Sequence, residues 1–176
     1  FISAVATLRY EAALPLPKQD EHSYLLYRLA YRISFVVLAV SALVLLFVLK
    51  AGIGIPFSWW FFLLTIIGSA CIVIINIGTN WSVRIGRYGM ISRQKIINSS
   101  LSNLLKWIFA FFQFQTLGLI LATFLGYFAS SLEFLFDFKK IHQRYKHYIS
   151  KKKTTALMRE HKDFPIVSLP HVFVDN

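Results

Sequence analysis

Two long apolar blocks without a charged side chain constrain this fold more than any other feature. They run from 33 to 49 and from 57 to 79. A helix of about 20 apolar residues matches the hydrocarbon thickness of a bilayer, so each block can span one, the first with help from its flanks. With 56% hydrophobic residues and a mean hydropathy of +0.57, the chain is too apolar for one soluble domain. The sequence therefore predicts an all-α membrane protein.

A third apolar region, 96–138, predicts a helical hairpin with an uncharged turn at 114–116. Residues 1–8 are typical of the last turns of an earlier span, and 164–176 of the start of a later one. We therefore expect an internal fragment of a polytopic helical bundle, with four complete transmembrane helices and parts of two more. The predicted transmembrane part is 1–138, with spans at about 29–50, 57–80, 95–115 and 117–138.

A lysine interrupts the first helix of this hairpin. A cation inside a bilayer is costly unless it faces other helices or water. The helical step of about 100° per residue places further polar residues on the same face as Lys106: Lys95, Ser99, Ser102, Asn103 and Gln113. This polar line would suit an anionic amphiphile such as a lipid diphosphate. The alternative is that Lys106 reaches up to the interface or pairs with a carboxylate elsewhere in a larger protein.

The second span carries a weaker polar line that includes Asn76. We count Asn76 as a further candidate for substrate binding. Small and hydroxyl side chains also pack transmembrane helices together, and that simpler interpretation stays open for this span.

The charge distribution predicts the orientation in the membrane. The net charge is +11, and 17 of the 19 Lys and Arg residues lie on one side if the loops 9–28, 81–95 and 139–163 are cytoplasmic. Positively charged loops stay in the cytoplasm, so the charge needs no nucleic acid partner. The basic segment 139–163 is interpreted as a cytoplasmic linker attracted to anionic membrane lipids. The lone Cys71 is expected to pack inside a span.

No pattern of catalytic or cofactor-binding residues is recognisable. The chain has no phosphate loop, dinucleotide glycine motif, HExxH or nucleophile elbow. The histidines are too loosely spaced for a metal site. Glu133 and Asp137 are one helical turn apart, but we expect them to form an ion cluster with Lys139 and Lys140 rather than an acid/base pair. We predict no enzyme, no catalytic residue, no metal and no cofactor.

Four segments together resemble a known family. They are RYEAALPLPK at 9–18, a turn with Arg84, Arg87 and Tyr88 followed by ISRQKII, GLILATFLGYF at 118–128, and HKDFPIVSLP at 161–170. In this order they resemble the polysaccharide-biosynthesis flippases of the Wzx type, in the multidrug, oligosaccharidyl-lipid and polysaccharide exporter superfamily. The short outer turn AGIGIP and the hairpin turn, which has no glycine before GL, depart from the family pattern.

The resemblance implies a two-lobe transporter of the bacterial cytoplasmic (inner) membrane that works by alternating access. Its substrate would be an undecaprenyl-diphosphate-linked oligosaccharide for O-antigen, capsule or exopolysaccharide. Its partners would include the polysaccharide polymerase and chain-length machinery. This chain would come from the N-terminal lobe, with structural or gating roles for Arg9, Glu11, Arg84, Arg87, Phe164 and Pro165. The competing hypothesis is a non-transporting membrane scaffold of a polysaccharide assembly complex, anchored through the basic linker.

Overall fold

The computed structural model describes residues 6–7, 10–17, 19–50, 59–148 and 151–160. A 3-10 helix, Tyr10–Ala13, precedes α1 (Asp20–Lys50) and α2 (Trp59–Arg84). Next come α3 (Tyr88–Phe111), α4 (Gln115–Tyr145), a 3-10 turn at Lys146–Tyr148, and α5 (Lys151–Glu160). Every element of this described part is helical, as predicted.

Three of the described helices are long and apolar enough to cross a membrane: Asp20–Val48 within α1, α2 and α4. They indicate a membrane-embedded protein. Although α3 has 24 residues, it is not among them. Lys106 and the polar residues near it, including Asn98 and Asn103, lower its hydropathy. A crossing by α3 therefore stays a prediction.

The helices extend beyond the apolar residues that marked the predicted spans. α1 begins at Asp20, before the predicted span that starts at about 29, and α4 continues to Tyr145, beyond the predicted span that ends at about 138. The length of an apolar segment matches the thickness of the hydrocarbon layer. A helix can be longer than this segment, because its backbone stays hydrogen-bonded as it continues through the polar interface. Asp20 and Glu21 in the first turn of α1 favour this early start, because carboxylates stabilise helix N-termini.

The turn of the hairpin lies at 112–114, two residues before its predicted position. α3 ends at Phe111, so the predicted span 95–115 is too long at this end. Gln113 and Gln115 have φ angles of 57° and 43°, in the left-handed region that glutamine rarely adopts. The turn contains no Gly or Pro, so its sequence carried no signal for its position.

α4 is the central helix of the bundle, and small residues let its neighbours approach closely. Gly118, Ala122, Gly126 and Ser130 are all buried, as expected for a groove of small residues. A Cβ atom on Gly118 would lie 2.7 Å from the Cβ of Phe109 in α3. On the α2 side, a Cβ on Gly78 would lie 2.8 Å from the Cβ of Phe134. Both contacts are too close for a side chain, so glycine sets the helix spacing.

The ends of the helices near the three basic loops meet around an aromatic core. Tyr24 and Tyr27 of α1 are 0% and 1% exposed. Tyr27 lies 4.8 Å from Trp81 of α2 and 5.5 Å from Phe138 of α4, between ring centroids. Tyr24 and Tyr27 pack inside the bundle because aromatic side chains from three helices converge there.

The second half of α1 has an open apolar surface. Phe35 and Phe47 are 76% and 75% exposed, and Val36, Leu43 and Val44 between them are exposed as well. A surface of this size in a membrane-embedded helix faces lipid or further helices.

Candidate functional site

Lys106 lies half-buried in α3, closer to the hairpin turn than predicted. It comes five residues before the helix end at Phe111, or about 7 Å along the axis at 1.5 Å per residue. The sequence predicted Lys106 near the middle of a span at 95–115, which extends beyond the end of α3. The polar line therefore runs from the middle of α3 toward the turn.

The candidate residues around Lys106 divide between two sides of α3. Ser99 and Asn103 are exposed, and the side-chain amide of Asn103 donates to the Ser99 hydroxyl at 3.5 Å. Ser102 is only 7% exposed and donates its hydroxyl to Asn98 Oδ1 at 3.3 Å. This second pair packs on Gly126 of α4. Ser102 thus holds the hairpin together, whereas Ser99 and Asn103 are open to a ligand.

Gln113 does not belong to the polar line. It lies in the turn after α3, exposed and with a φ of 57°. The helical step that placed it beside Lys106 no longer applies beyond Phe111. Gln113 therefore lies off the helical face on which it was predicted, because α3 ends four residues before the predicted limit at 115.

Asn76 lies partly buried on α2, and its backbone carbonyl accepts a hydrogen bond of 3.0 Å from the Asn80 side chain. Thr65 likewise donates to the carbonyl of Phe61 at 2.8 Å. Polar groups on this helix therefore bond along their own helix, and within the described residues no hydrogen bond joins Asn76 to α3. This arrangement agrees with the simpler interpretation of the α2 line.

No described carboxylate pairs with Lys106. Ion pairs between described residues join Arg84 to Asp20, Arg87 to Asp137, and Arg93 to Glu133. All of them lie at the end of the bundle where the predicted cytoplasmic loops meet. Among the cations of α3, Lys106 lies deepest in the apolar segment. Its ammonium group has no carboxylate partner among the described residues.

Arg84 connects two of the segments on which the family resemblance rests. Its guanidinium donates to the carbonyl of Pro15 at 2.9 Å and pairs with Asp20 at 3.1 Å. Glu11 is 7% exposed in the adjoining 3-10 helix, where burial also raises the pKa of Tyr10. Arg84 and Glu11 therefore take part in a structural junction. Arg9, Phe164 and Pro165 lie outside the described residues.

The carboxylates of α4 pair with arginines of α3 and its preceding turn, not with the neighbouring lysines. Arg87 reaches Asp137 at 3.2 Å, and Arg93 reaches Glu133 at 2.8 Å. The sequence correctly suggested an ion cluster here, but Lys139 and Lys140 were the wrong partners. Glu133 and Asp137 are one turn apart, so they share a face of α4, and the antiparallel α3 brings its arginines to that face.

Lys140 instead lines a cavity of about 550 Å³ beside the two ion pairs. Three cations and two carboxylates surround this space, since Arg87, Arg93, Glu133 and Asp137 line it as well. The sequence did not single out this cavity. The sequence signal for this cavity was the spacing of Glu133 and Asp137, one helical turn apart, together with the basic turn that follows α2.

Across the described residues, no three His, Cys, Asp or Glu side chains come together in a group that would hold a metal ion. His142 instead shares a hydrogen bond of 2.7 Å with the hydroxyl of Tyr24, through Nδ1. Cys71 is buried in α2 as a free thiol.

Comparison of the chain with protein-family models, curated proteins and solved structures finds no match.

Proposed function

We propose that this chain belongs to a membrane transporter that moves an undecaprenyl-diphosphate-linked oligosaccharide across the bacterial cytoplasmic membrane by alternating access. In this proposal α1 to α4 are four spans of its N-terminal lobe, and α3 lines the substrate path. The sequence resemblance described above motivates the choice of substrate. The three apolar helices and the open polar face of α3 support it.

The position of Lys106 is the observation that carries the proposal. A lysine within an apolar helix needs an anion, a carboxylate or water near its ammonium group. Among the described residues no carboxylate fills this role. A diphosphate carries negative charge on several oxygens, and the ammonium group can donate three hydrogen bonds to them.

The surroundings of Lys106 also suit an amphiphilic substrate. Ser99 and Asn103 offer hydroxyl and amide groups on the same side of the helix. Trp107, one helical turn after Asn103, is 82% exposed. A headgroup could therefore follow the polar line while its prenyl tail remains against apolar side chains and lipid.

The junctions at the opposite end of the helices have a different role in this proposal. Arg84 fixes the loop before α1 to the end of α2, and Arg87 fixes the start of α3 to α4. An exposed arginine such as Arg87 can open and close its ion pair at little cost, because water replaces the partner. We assign Arg87 to the rearrangement between the two access states and Arg84 to holding the loop in place, and neither residue to substrate binding.

The test replaces Lys106 with Gln in a host whose surface polysaccharide depends on this protein. We expect delivery of the polysaccharide to be lost while the protein remains inserted at its normal level. Lys95→Gln is the matched control, because it removes the same charge from the same face of α3 at an exposed position in the predicted cytoplasmic loop 81–95. Lys106→Arg should keep partial delivery, since it keeps the charge. Full delivery by the Lys106→Gln variant would remove this residue from the mechanism.

A further inference from the structure

A basic groove lies between the first half of α1 and the end of α4. Its volume is about 620 Å³, within the range of roughly 300–1,000 Å³ of pockets that hold organic ligands. Arg28, Arg32 and His142 contribute nitrogen donors to its lining. None of these residues belongs to the polar line of α3 or to the three ion pairs.

The groove carries positive charge that no described residue neutralises. Arg28 and Arg32 are one helical turn apart, so their side chains lie on the same face of α1. No carboxylate lines the groove, and neither arginine forms an ion pair with a described residue. Asp137, which precedes Phe138 in α4, is already held by Arg87 at 3.2 Å. Two adjacent guanidinium groups are well suited to a phosphate, which they can bind in bidentate fashion.

The third donor, His142, is held in place by its neighbours. Its Nδ1 lies 2.7 Å from the hydroxyl of Tyr24, and its ring stacks on Phe138 with 6.0 Å between centroids. When the Tyr24 hydroxyl donates to Nδ1, the ring proton lies on Nε2 and can be donated to a ligand in the groove. In that tautomer the groove has a fixed donor, Nε2 of His142, beside two longer and adjustable guanidinium groups.

Apolar side chains continue the groove toward the membrane interior. Arg32 immediately precedes the uncharged block 33–49, and arginines at such a position lie at the depth of lipid phosphates. Phe35 and Val36 line the same groove and are 76% and 60% exposed. The order of groups along α1, cations followed by open apolar surface, matches the order of phosphate and acyl chain in a phospholipid.

We propose that this groove is a specific binding site for one anionic phospholipid. Its phosphate lies between Arg28 and Arg32, and an acyl chain lies along Phe35 and Val36. The leaflet is the cytoplasmic one if the basic loops are cytoplasmic. The site connects α1 to α4 by a lipid and does not depend on the proposed transport function.

Native mass spectrometry of the purified full chain tests the site, with phosphatidylglycerol and phosphatidylcholine as probes. Wild-type protein is expected to retain one phosphatidylglycerol in preference to phosphatidylcholine. The double variant R28Q/R32Q should bind phosphatidylglycerol on the order of tenfold more weakly, because two charge-assisted contacts are lost. The matched control K139Q/K140Q removes two charges from exposed lysines at the same end of α4, and should change binding by less than about threefold.

Two further variants keep the test decisive. R28K/R32K keeps both charges but loses the bidentate geometry. Its loss of affinity for phosphatidylglycerol should therefore lie between the losses in R28Q/R32Q and K139Q/K140Q. If R28Q/R32Q does not fold, R28Q and R32Q alone should each bind about threefold more weakly. Wild-type affinity in both single variants would overturn the proposal.

Three other results would also overturn it. An equal loss of affinity in R28Q/R32Q and K139Q/K140Q would mean that lipid binding depends only on the general surface charge. If soluble glycerophosphate competed as well as phosphatidylglycerol itself, the acyl chain would make no contact with Phe35 and Val36. Displacement of phosphatidylglycerol by an equimolar polyprenyl diphosphate would assign the groove to a different lipid.

Discussion

The guanidinium group of Arg84 donates a hydrogen bond of 2.9 Å to the backbone carbonyl of Pro15, which lies 69 residues earlier in the chain. The second guanidinium nitrogen pairs with Asp20 at 3.1 Å. One side chain at the end of α2 thus fixes both the proline-containing loop and the first turn of α1. The loop that precedes α1 is therefore a folded part of the bundle and not a free linker.

Replacing Arg84 with Gln should destabilise the bundle by about 1–3 kcal/mol, because the carbonyl of Pro15 loses a charged donor. The side chain of Arg84 is 14% exposed, whereas that of Arg87 is 55% exposed. Arg87→Gln is therefore expected to cost less than about 1 kcal/mol. The free energy of unfolding in bicelles measures both variants. Equal losses would show that the contact with Pro15 contributes nothing beyond an exposed ion pair.

Gly126→Ala should push α3 away from α4. The new Cβ would overlap the Ser102 hydroxyl and lie 2.8 Å from Asn98 Oδ1. Overpacking of this kind costs about 1–3 kcal/mol. Gly89→Ala is the control, because nothing lies within 4 Å of its added Cβ, and it should be neutral or slightly stabilising.

Ser102→Ala provides a second check on that interface. Added to the Gly126→Ala variant, it removes the oxygen that the new Cβ overlaps, and we expect part of the lost stability to return. Thermal unfolding in detergent would compare the four proteins. An additive effect of the two substitutions would show that these residues do not meet across the helices.

Tyr24→Phe removes the hydrogen bond to His142 but leaves the ring stacked on Tyr145, with 5.3 Å between centroids. We expect a loss of about 0.5–1.5 kcal/mol. Tyr88→Phe is the matched control, since Tyr88 is 62% exposed. Similar unfolding midpoints for the two variants would contradict a stabilising role for the Tyr24 hydroxyl.

The general architecture could be predicted from the sequence because it depends on apolar length and on small-residue spacing. The uncharged blocks indicated α1 and α2. Positions 118, 122, 126 and 130 all carry small residues, a spacing that lets helices pack closely. The positions of charged residues indicated that three loops lie together. Arg84 with Asp20 and Arg87 with Asp137 connect the ends of helices that those loops join.

The details of the candidate site depended on signals that the sequence does not carry. Gln113 leaves the polar line because the hairpin turns through left-handed glutamines, which no turn rule anticipates. Ser102 and Ser99 differ by less than one helical turn, yet Gly126 covers only Ser102. Which of two neighbouring hydroxyls is covered depends on the rotation of α3 against α4, and that is a property of tertiary packing.

The competing scaffold hypothesis assigns the function to the basic segment after α4. In that case, neutral substitutions of Lys139 and Lys140, which are exposed, should reduce polysaccharide delivery more than Lys106→Gln does. The transport account predicts the opposite order, because general attraction to anionic lipid contributes only about 1 kcal/mol per cation. Quantifying surface polysaccharide in both variants, at equal protein levels, distinguishes the two hypotheses.

The most direct test measures transport of a fluorescent lipid-diphosphate-linked oligosaccharide by the full protein in proteoliposomes. The wild type, Lys106→Gln, Lys106→Arg and Lys95→Gln would be compared at equal incorporation. The account predicts transport by the wild type and Lys95→Gln, reduced transport by Lys106→Arg, and at least a tenfold slower rate for Lys106→Gln, on the order expected for losing one charged contact. Equal rates for Lys106→Gln and the wild type would contradict it.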